Sequence, residues 1–160
     1  MKKLITVLLT AMLFITSNAY AASTMEDADK AYASENYAEA IKIYKALALK
    51  GDAKGQYYYG HMHNMGQGTI QDYAEAVKWY KLAAEQGYAN AQFALGVMYD
   101  TGNGITKDLI KAHMWVNLSA IKAAYAAIIR DMLAKEMTAV QIAQAQKLAR
   151  ECLARKYKGC

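Results

Sequence analysis

Apolar residues recur at helical spacing through most of this chain. In residues 89–101, for example, Ala91, Leu95 and Met98 fall on one helix face because they are separated by four and then three positions. Gly102 follows, and glycine often ends helices because it tolerates the left-handed conformation. No segment sustains the alternation of apolar and polar residues that is typical of half-buried strands, and proline is absent. The sequence therefore predicts an all-α protein.

The pattern of glycines and large side chains repeats along the chain. When the sequence is shifted by 36 residues, a second copy aligns with the first. The clearest matches pair Gly51 with Gly87, Gln56 with Gln92, Gly60 with Gly96, Asp72 with Asp108, and Trp79 with Trp115. A fixed period in this range is typical of stacked helical repeats, which present binding surfaces and seldom hold catalytic groups.

This period divides the chain into a repeat array over residues 22–120 and a C-terminal region over residues 121–160. We expect a partial repeat over residues 22–50 and full repeats over approximately 51–86 and 87–122. Each full repeat is predicted to contain a first helix and a second helix. The C-terminal region is predicted to form capping helices, because an open end of the array would expose its core.

Two glycines lie inside the predicted first helices, where glycine costs about 1 kcal/mol relative to alanine. Gly60 and Gly96 occupy matching positions in the two repeats. A helix accepts this cost where a neighbouring group must approach closely. We therefore predict that Trp79 and Trp115 of the second helices pack against these glycines.

The C-terminal region has its own apolar pattern. A helix over residues 123–135 is predicted to turn Ile128, Ile129, Met132 and Leu133 toward the core. A last helix is predicted to begin after Thr138. Its apolar stripe comprises Ile142, Ala145, Leu148, Ala149 and Cys152.

The repeat motif resembles a known family. The segment AQFALGVMY at residues 91–99, then GNGI at 102–105, Asp108 and Trp115, is similar to the Sel-one-like repeat, and residues 53–87 match it as well. This family is related to the tetratricopeptide repeats and forms right-handed solenoids of helix pairs that bind proteins or peptides. The resemblance implies a short right-handed α-solenoid of antiparallel helix pairs and a role in protein interaction.

The N-terminus has the features of a secretory signal peptide. A basic start at Lys2 and Lys3 precedes an apolar run over residues 4–15 and a small-x-small site at Ala19 and Ala21. The alternative, a membrane anchor, would need about 20 apolar residues, and this run is shorter. We expect cleavage after Ala21, no membrane span, and a periplasmic protein, or alternatively a secreted one.

The two cysteines, Cys152 and Cys160, both lie near the C-terminus. Disulfides are favoured in exported proteins, and a bond between these two would close a short loop. Pairing between two chains and two free thiols remain as alternatives.

Other chemistry has little support in the sequence. His61 and His63 are two positions apart and would point to nearly opposite sides of a helix, so they are not predicted to share a metal ion. The paired glycines at 66–68 and 102–104 follow helices and lack the lysine of a phosphate loop. Basic residues are in excess over residues 121–160 but form no run, so nucleic acid is not expected as a partner.

A partner-binding surface can be assigned from the repeat pattern. Aligning the chain with the family places three residues of each first helix on the inner face of the solenoid, at spacing i, i+4, i+7. We call this surface the groove; its residues are Tyr57, His61 and Asn64 in one repeat and Phe93, Val97 and Asp100 in the next. Such a surface suits an extended peptide or a partner helix. Alternatively, the capping helices fill the groove and these aromatic residues belong to the core.

The sequence thus favours a non-catalytic adaptor that binds a protein or peptide partner in the cell envelope. The alternatives are a regulator or accessory factor of peptidoglycan or secretion machinery and, less favoured, an envelope hydrolase. No cofactor, metal site or catalytic residue is predicted, and the protein is expected to be a monomer.

Overall fold

The computed structural model describes residues 23–160, and this part of the chain forms eight α-helices and no β-strand. The helices are α1 (Met25–Ala33), α2 (Tyr37–Leu49), α3 (Ala53–Met65), α4 (Tyr73–Ala84), α5 (Ala89–Thr101), α6 (Leu109–Ser119), α7 (Ala124–Lys135) and α8 (Ala139–Ala154). The all-α prediction is confirmed. The predicted signal peptide, residues 1–21, lies outside the described residues.

The predicted helix boundaries within each repeat are also confirmed. The first helices α3 and α5 end at Gly66 and Gly102, which adopt left-handed conformations with φ of 68° and 79°. The second helices α4 and α6 begin after Asp72 and Asp108. The carboxylates of these two residues accept hydrogen bonds of 2.9 and 3.0 Å from backbone N–H groups three residues later. Each such cap contributes about 1 kcal/mol of stability.

Consecutive helices from α1 to α7 pack against one another in chain order, as a short solenoid requires. The last helix departs from this order, because α8 returns to pack against α6. Buried residues form three clusters along the array: one around α1–α3, a central one that includes α4–α6 and α8, and one between α6 and α7.

The two first-helix glycines do allow close helix packing, although their neighbours differ from the prediction. A Cβ atom at position 60 would lie 3.1 Å from Trp79 Cβ and 3.1 Å from the carbonyl oxygen of Ala76. At position 96 the nearest group is Val116 Cγ2, at 2.5 Å, rather than the indole of Trp115. The prediction is therefore right for Trp79 and wrong for Trp115, because the residue after the tryptophan reaches the glycine in the second repeat.

The predicted inward face of α7 is wrong in part. Leu133 is buried and Ile129 is half-buried, but Ile128 and Met132 are 65% and 54% exposed. The helix packs mainly against α6 and touches α5 through Tyr125, whereas α8 packs against α6. A helix with so few neighbours buries a narrower stripe than the apolar pattern suggested.

The C-terminal tail is fastened by a disulfide between Cys152 and Cys160, whose Cα atoms are 5.6 Å apart. The predicted disulfide within one chain is thus confirmed, and it leaves no free cysteine among the described residues. Tyr157, inside the closed loop, packs its ring against Gly87 at the junction of the two repeats.

None of the helices in residues 23–160 is both long enough and apolar enough to cross a membrane.

Candidate functional site

A cavity of about 280 Å³ lies between the first helices α3 and α5. Its lining residues are Tyr57, His61, Asn64, Tyr80, Phe93, Ala94, Val97, Met98 and Asn103. Five of the six predicted groove residues belong to this lining. The sixth, Asp100, is half-buried outside it, with a carboxylate oxygen 3.7 Å from Lys107 Nζ.

The spacing of the α3 residues explains why they face the cavity together. Tyr57, His61 and Asn64 are separated by four and three positions, so they form one stripe of the helix. Tyr59 and Met62 lie on the opposite side of α3 and are buried in the N-terminal cluster. The core therefore fixes the orientation of α3, and this orientation leaves the groove stripe half-buried.

Aromatic rings surround Tyr57 at the α3 side of the cavity. Its ring centroid lies 5.1 Å from that of Tyr58, 5.7 Å from that of Tyr80 and 5.4 Å from that of Tyr88, and the ring of His61 stacks on it at 6.0 Å. Burial raises the pKa of Tyr57 to about 12 and lowers the pKa of His61. Both side chains are therefore favoured in their neutral forms near neutral pH.

Helix α1 extends this aromatic wall. The ring of Tyr32 lies 6.4 Å from that of His61, and its hydroxyl donates a 2.9 Å hydrogen bond to Gln67 Oε1. The groove predicted from the sequence does not include Tyr32, Tyr80 or Tyr88. The available signal was the density of tyrosines around residues 57–59, but only the fold brings tyrosines from α1 and α4 to the same place.

On the α5 side, Phe93 contacts the capping region. Its ring meets that of Tyr125 edge-on at 5.0 Å, and the Tyr125 hydroxyl donates a 2.9 Å hydrogen bond to Asn90 Oδ1. Helix α7 thus borders the groove. The described lining of the cavity comes from α3–α5 and the turn at Asn103, with no residue of α7 or α8 in it.

The cavity lining carries no charged side chain among the described residues. The charged residues of α3 and α5, Lys54 and Asp100, are both paired. Lys54 Nζ lies 2.6 Å from Asp29 Oδ2, and Lys107 lies 3.7 Å from Asp100. The site therefore offers aromatic faces, aliphatic carbon and two amide side chains, Asn64 and Asn103.

The two histidines of α3 lie apart. His61 stacks on Tyr57 in the groove, whereas His63 meets the ring of Tyr59 at 4.8 Å on the other side of the helix. Within residues 23–160, no three His, Cys, Asp or Glu side chains come together in an arrangement that could hold a metal ion.

Comparisons with known proteins agree with this fold. The Sel1 repeat family model matches residues 53–88 and 89–123. A protective antigen of uropathogenic Escherichia coli strains with an SLR fold is similar at 27% identity and a TM-score of 0.78, over 82% of this chain and 29% of that one. A Sel1 repeat protein from Oxalobacter formigenes is similar at 29% identity and a TM-score of 0.66, over 71% of this chain and 47% of that one.

The chain thus spans less than half the length of either solved structure. No match is found among the curated proteins. The two matched repeats, the all-helical solenoid and the similar structures together show that residues 53–123 of this chain form two Sel1 repeats.

Proposed function

We propose that this protein is a non-catalytic adaptor that holds a protein or peptide partner in the groove. The observation that carries the proposal is the uncharged cavity between α3 and α5, which is lined by aromatic, aliphatic and amide side chains and to which neither α7 nor α8 contributes a residue. Tyrosine and phenylalanine contribute large contact area at low entropic cost, so they are common anchors in binding surfaces. The Sel1 repeat fold supports protein partners in general.

We place this adaptor in the periplasm as a monomer. Two features support an exported location: the signal-like sequence of residues 1–21, and the disulfide between Cys152 and Cys160, which would be reduced in most cytosols. Intact-mass measurement of the protein purified from a periplasmic extract tests this placement. A chain that begins at Ala22 is expected, and recovery of the full-length chain only from the cytosol would contradict it.

Site-specific photocrosslinking in cells tests the groove. A photoreactive phenylalanine analogue at Phe93 should form a crosslinked product of defined mass. The same analogue at Ile70, which is 88% exposed outside the cavity, is the matched control and should form none. Equal products at both positions, or no product at Phe93, would contradict binding in the groove.

A further inference from the structure

Helix α7 occupies the place of a third first helix. It begins at Ala124 just as α5 begins at Ala89, and Tyr125 bonds Asn90, the residue 35 positions before it. With the same shift, buried Ala126 and Leu133 of α7 take the places of two buried residues of α5. Those counterparts are Ala91 and Met98. Helix α7 therefore follows the register of α5 at these positions, but Arg130 and Asp131 stand where α5 has the buried Leu95 and Gly96.

This register gives the exposed apolar residues of α7 a position in the groove. Ile128 takes the place of Phe93, and Met132 takes the place of Val97. Both are more than half exposed. Tyr125 of the same stripe already touches Phe93, so the apolar surface continues from the cavity onto α7 without interruption. Each first helix thus contributes one row of residues to the groove, and the α7 row is the most exposed.

Resting on the proposed function, we propose that Ile128 and Met132 form a third row of the groove, and that the occupant is an amphipathic helix with an uncharged apolar face. The lining of the first two rows contains no charged side chain. In the third row, the nearby Arg130 guanidinium is paired with Asp131 at 2.8 Å. Lys135 ends this row, at the position that matches Asp100 of α5. A charged residue facing the uncharged positions of the rows would lose its hydration without gaining an opposite charge, which is costly.

The spacing of the rows favours a helix over an extended segment. Side chains join each first helix to the next, Tyr57 of α3 with Tyr88 at the start of α5 and Phe93 of α5 with Tyr125 of α7. Neighbouring helices are roughly 8–10 Å apart, which sets the spacing of the rows. A partner helix covers about 10.5 Å in seven residues and returns to nearly the same face, so apolar residues at i, i+7 and i+14 can meet three successive rows. An extended chain covers about 10 Å in three residues, and its side chain then points to the opposite face.

The cavity has room for an anchor from such a helix. Its volume of about 280 Å³ exceeds that of the roughly 150 Å³ engineered cavity that binds benzene. One ring-sized side chain of the partner can therefore enter between α3 and α5. The partner's next apolar residues, at intervals of two helical turns, would lie on Phe93 and on the α7 row.

Two displayed peptide libraries test the proposal directly. Both contain peptides of about 18 residues, which span roughly 27 Å as a helix, with the same apolar residues in the same helix-forming background. One library places the apolar residues seven apart, and the other places them at alternating positions. We expect only the first library to be enriched on the full protein. Fluorescence anisotropy then measures the affinity of the best peptide for variants.

Substitution at the third row distinguishes this surface from others. Ile128→Lys should weaken the best peptide by about tenfold or more, since it places a charge against an apolar face. Val140→Lys is the matched control, because Val140 is 77% exposed on α8, and it should leave the affinity unchanged. Both positions are exposed, so thermal melting should match that of the unchanged protein.

Several outcomes would overturn the inference: enrichment of the alternating library, enrichment of neither, or an affinity that Ile128→Lys does not reduce more than Val140→Lys. The crosslink at Phe93 is read separately. If that crosslink forms while the libraries fail, the groove holds a partner and only the helical occupant or the third row is wrong.

Discussion

The two full repeats are alike where they set the distance between helices and unlike where they face the groove. Gln56 and Gln92 each donate a 3.3 Å hydrogen bond to the carbonyl oxygen of an alanine in the preceding helix. The groove positions instead change from tyrosine and histidine on α3 to phenylalanine and valine on α5. Stacking requires the first set, because each repeat must fit its neighbour. The second set is free to differ and can give the surface its specificity.

The repeats also differ in the contacts of the glycine at which each repeat begins. Gly51 and Gly87 occupy matching positions and both have positive φ, at 87° and 76°. No group outside the local chain lies within 4 Å of a Cβ atom placed at Gly51, whereas the ring of Tyr157 lies against Gly87. The C-terminal tail therefore reinforces only the second junction.

The largest expected effect comes from releasing this tail. Cys160→Ala opens the loop that the disulfide closes, and the chain-entropy relation gives a loss of about 2.5 kcal/mol in the free energy of unfolding for a loop of this length. Urea denaturation measures the loss. The unchanged protein treated with a reductant is the matched control and should lose a similar amount. An equal free energy of unfolding with and without the disulfide would contradict the idea that this bond stabilises the fold by holding the tail in place.

Adding a methyl group at each of the two first-helix glycines should lower the free energy of unfolding by different amounts in the two repeats. Gly96→Ala places a Cβ atom 2.5 Å from Val116 Cγ2, and we expect a net loss of about 1–2 kcal/mol after the gain in helix propensity. Gly60→Ala should cost less, because its nearest contacts are 3.1 Å away.

A double-mutant cycle checks the cause of that difference. Val116→Ala removes the methyl groups that crowd position 96, so Gly96→Ala should cost less in that background. Additive losses in the double variant would show that the valine is not responsible. Thermal melting of the four proteins provides the measurement.

In the second repeat, His113 should make the stability of the protein depend on pH. His113 is only 2% exposed, and burial, with a smaller effect of Arg130, lowers its pKa. The unfolded chain binds a proton at this residue near pH 6.5, while the folded chain resists it. The free energy of unfolding should therefore fall as the pH drops below about 6.5, by at most about 1.4 kcal/mol per pH unit.

The first repeat supplies the control for this effect. Val77 occupies the position that matches His113, so His113→Val copies one repeat onto the other. Urea denaturation at pH 7.5 and pH 5.5 should show a smaller pH dependence in the variant. Part should remain, since burial also lowers the pKa of His61. An unchanged pH dependence would exclude His113 as its source.

The smallest change is expected from exchanging groove residues. Tyr57→Phe gives α3 the ring of α5 and keeps its aromatic neighbours, so the free energy of unfolding should change by less than about 1 kcal/mol. Tyr44→Phe is the contrasting variant, because its buried hydroxyl donates a 2.8 Å hydrogen bond to Asp29. If Tyr57→Phe were the more harmful of the two, the Tyr57 hydroxyl would carry the stronger stabilising interaction, which would contradict this expectation.

Local signals made much of the fold predictable. Gly102 and Asp108 end and begin helices through their own backbone and side-chain preferences, so their roles could be assigned from neighbouring residues alone. Five of the six groove residues lie around one cavity because helical spacing places them on the faces that the core leaves free. The exposed face of α7 could not be assigned in this way. Ile128 and Met132 fit an inward stripe equally well until the position of α8 is known.

The period, the helix pairs and the positions of close backbone approach can be predicted from sequence, because these depend on contacts between neighbours in the chain or between adjacent repeats. The folded chain is needed to see that α8 returns to α6, that Tyr157 covers Gly87, and that tyrosines from α1 and α4 lie against α3. Those contacts join residues far apart in the chain. Their partners are selected by the shape of the assembled array, which no local pattern encodes.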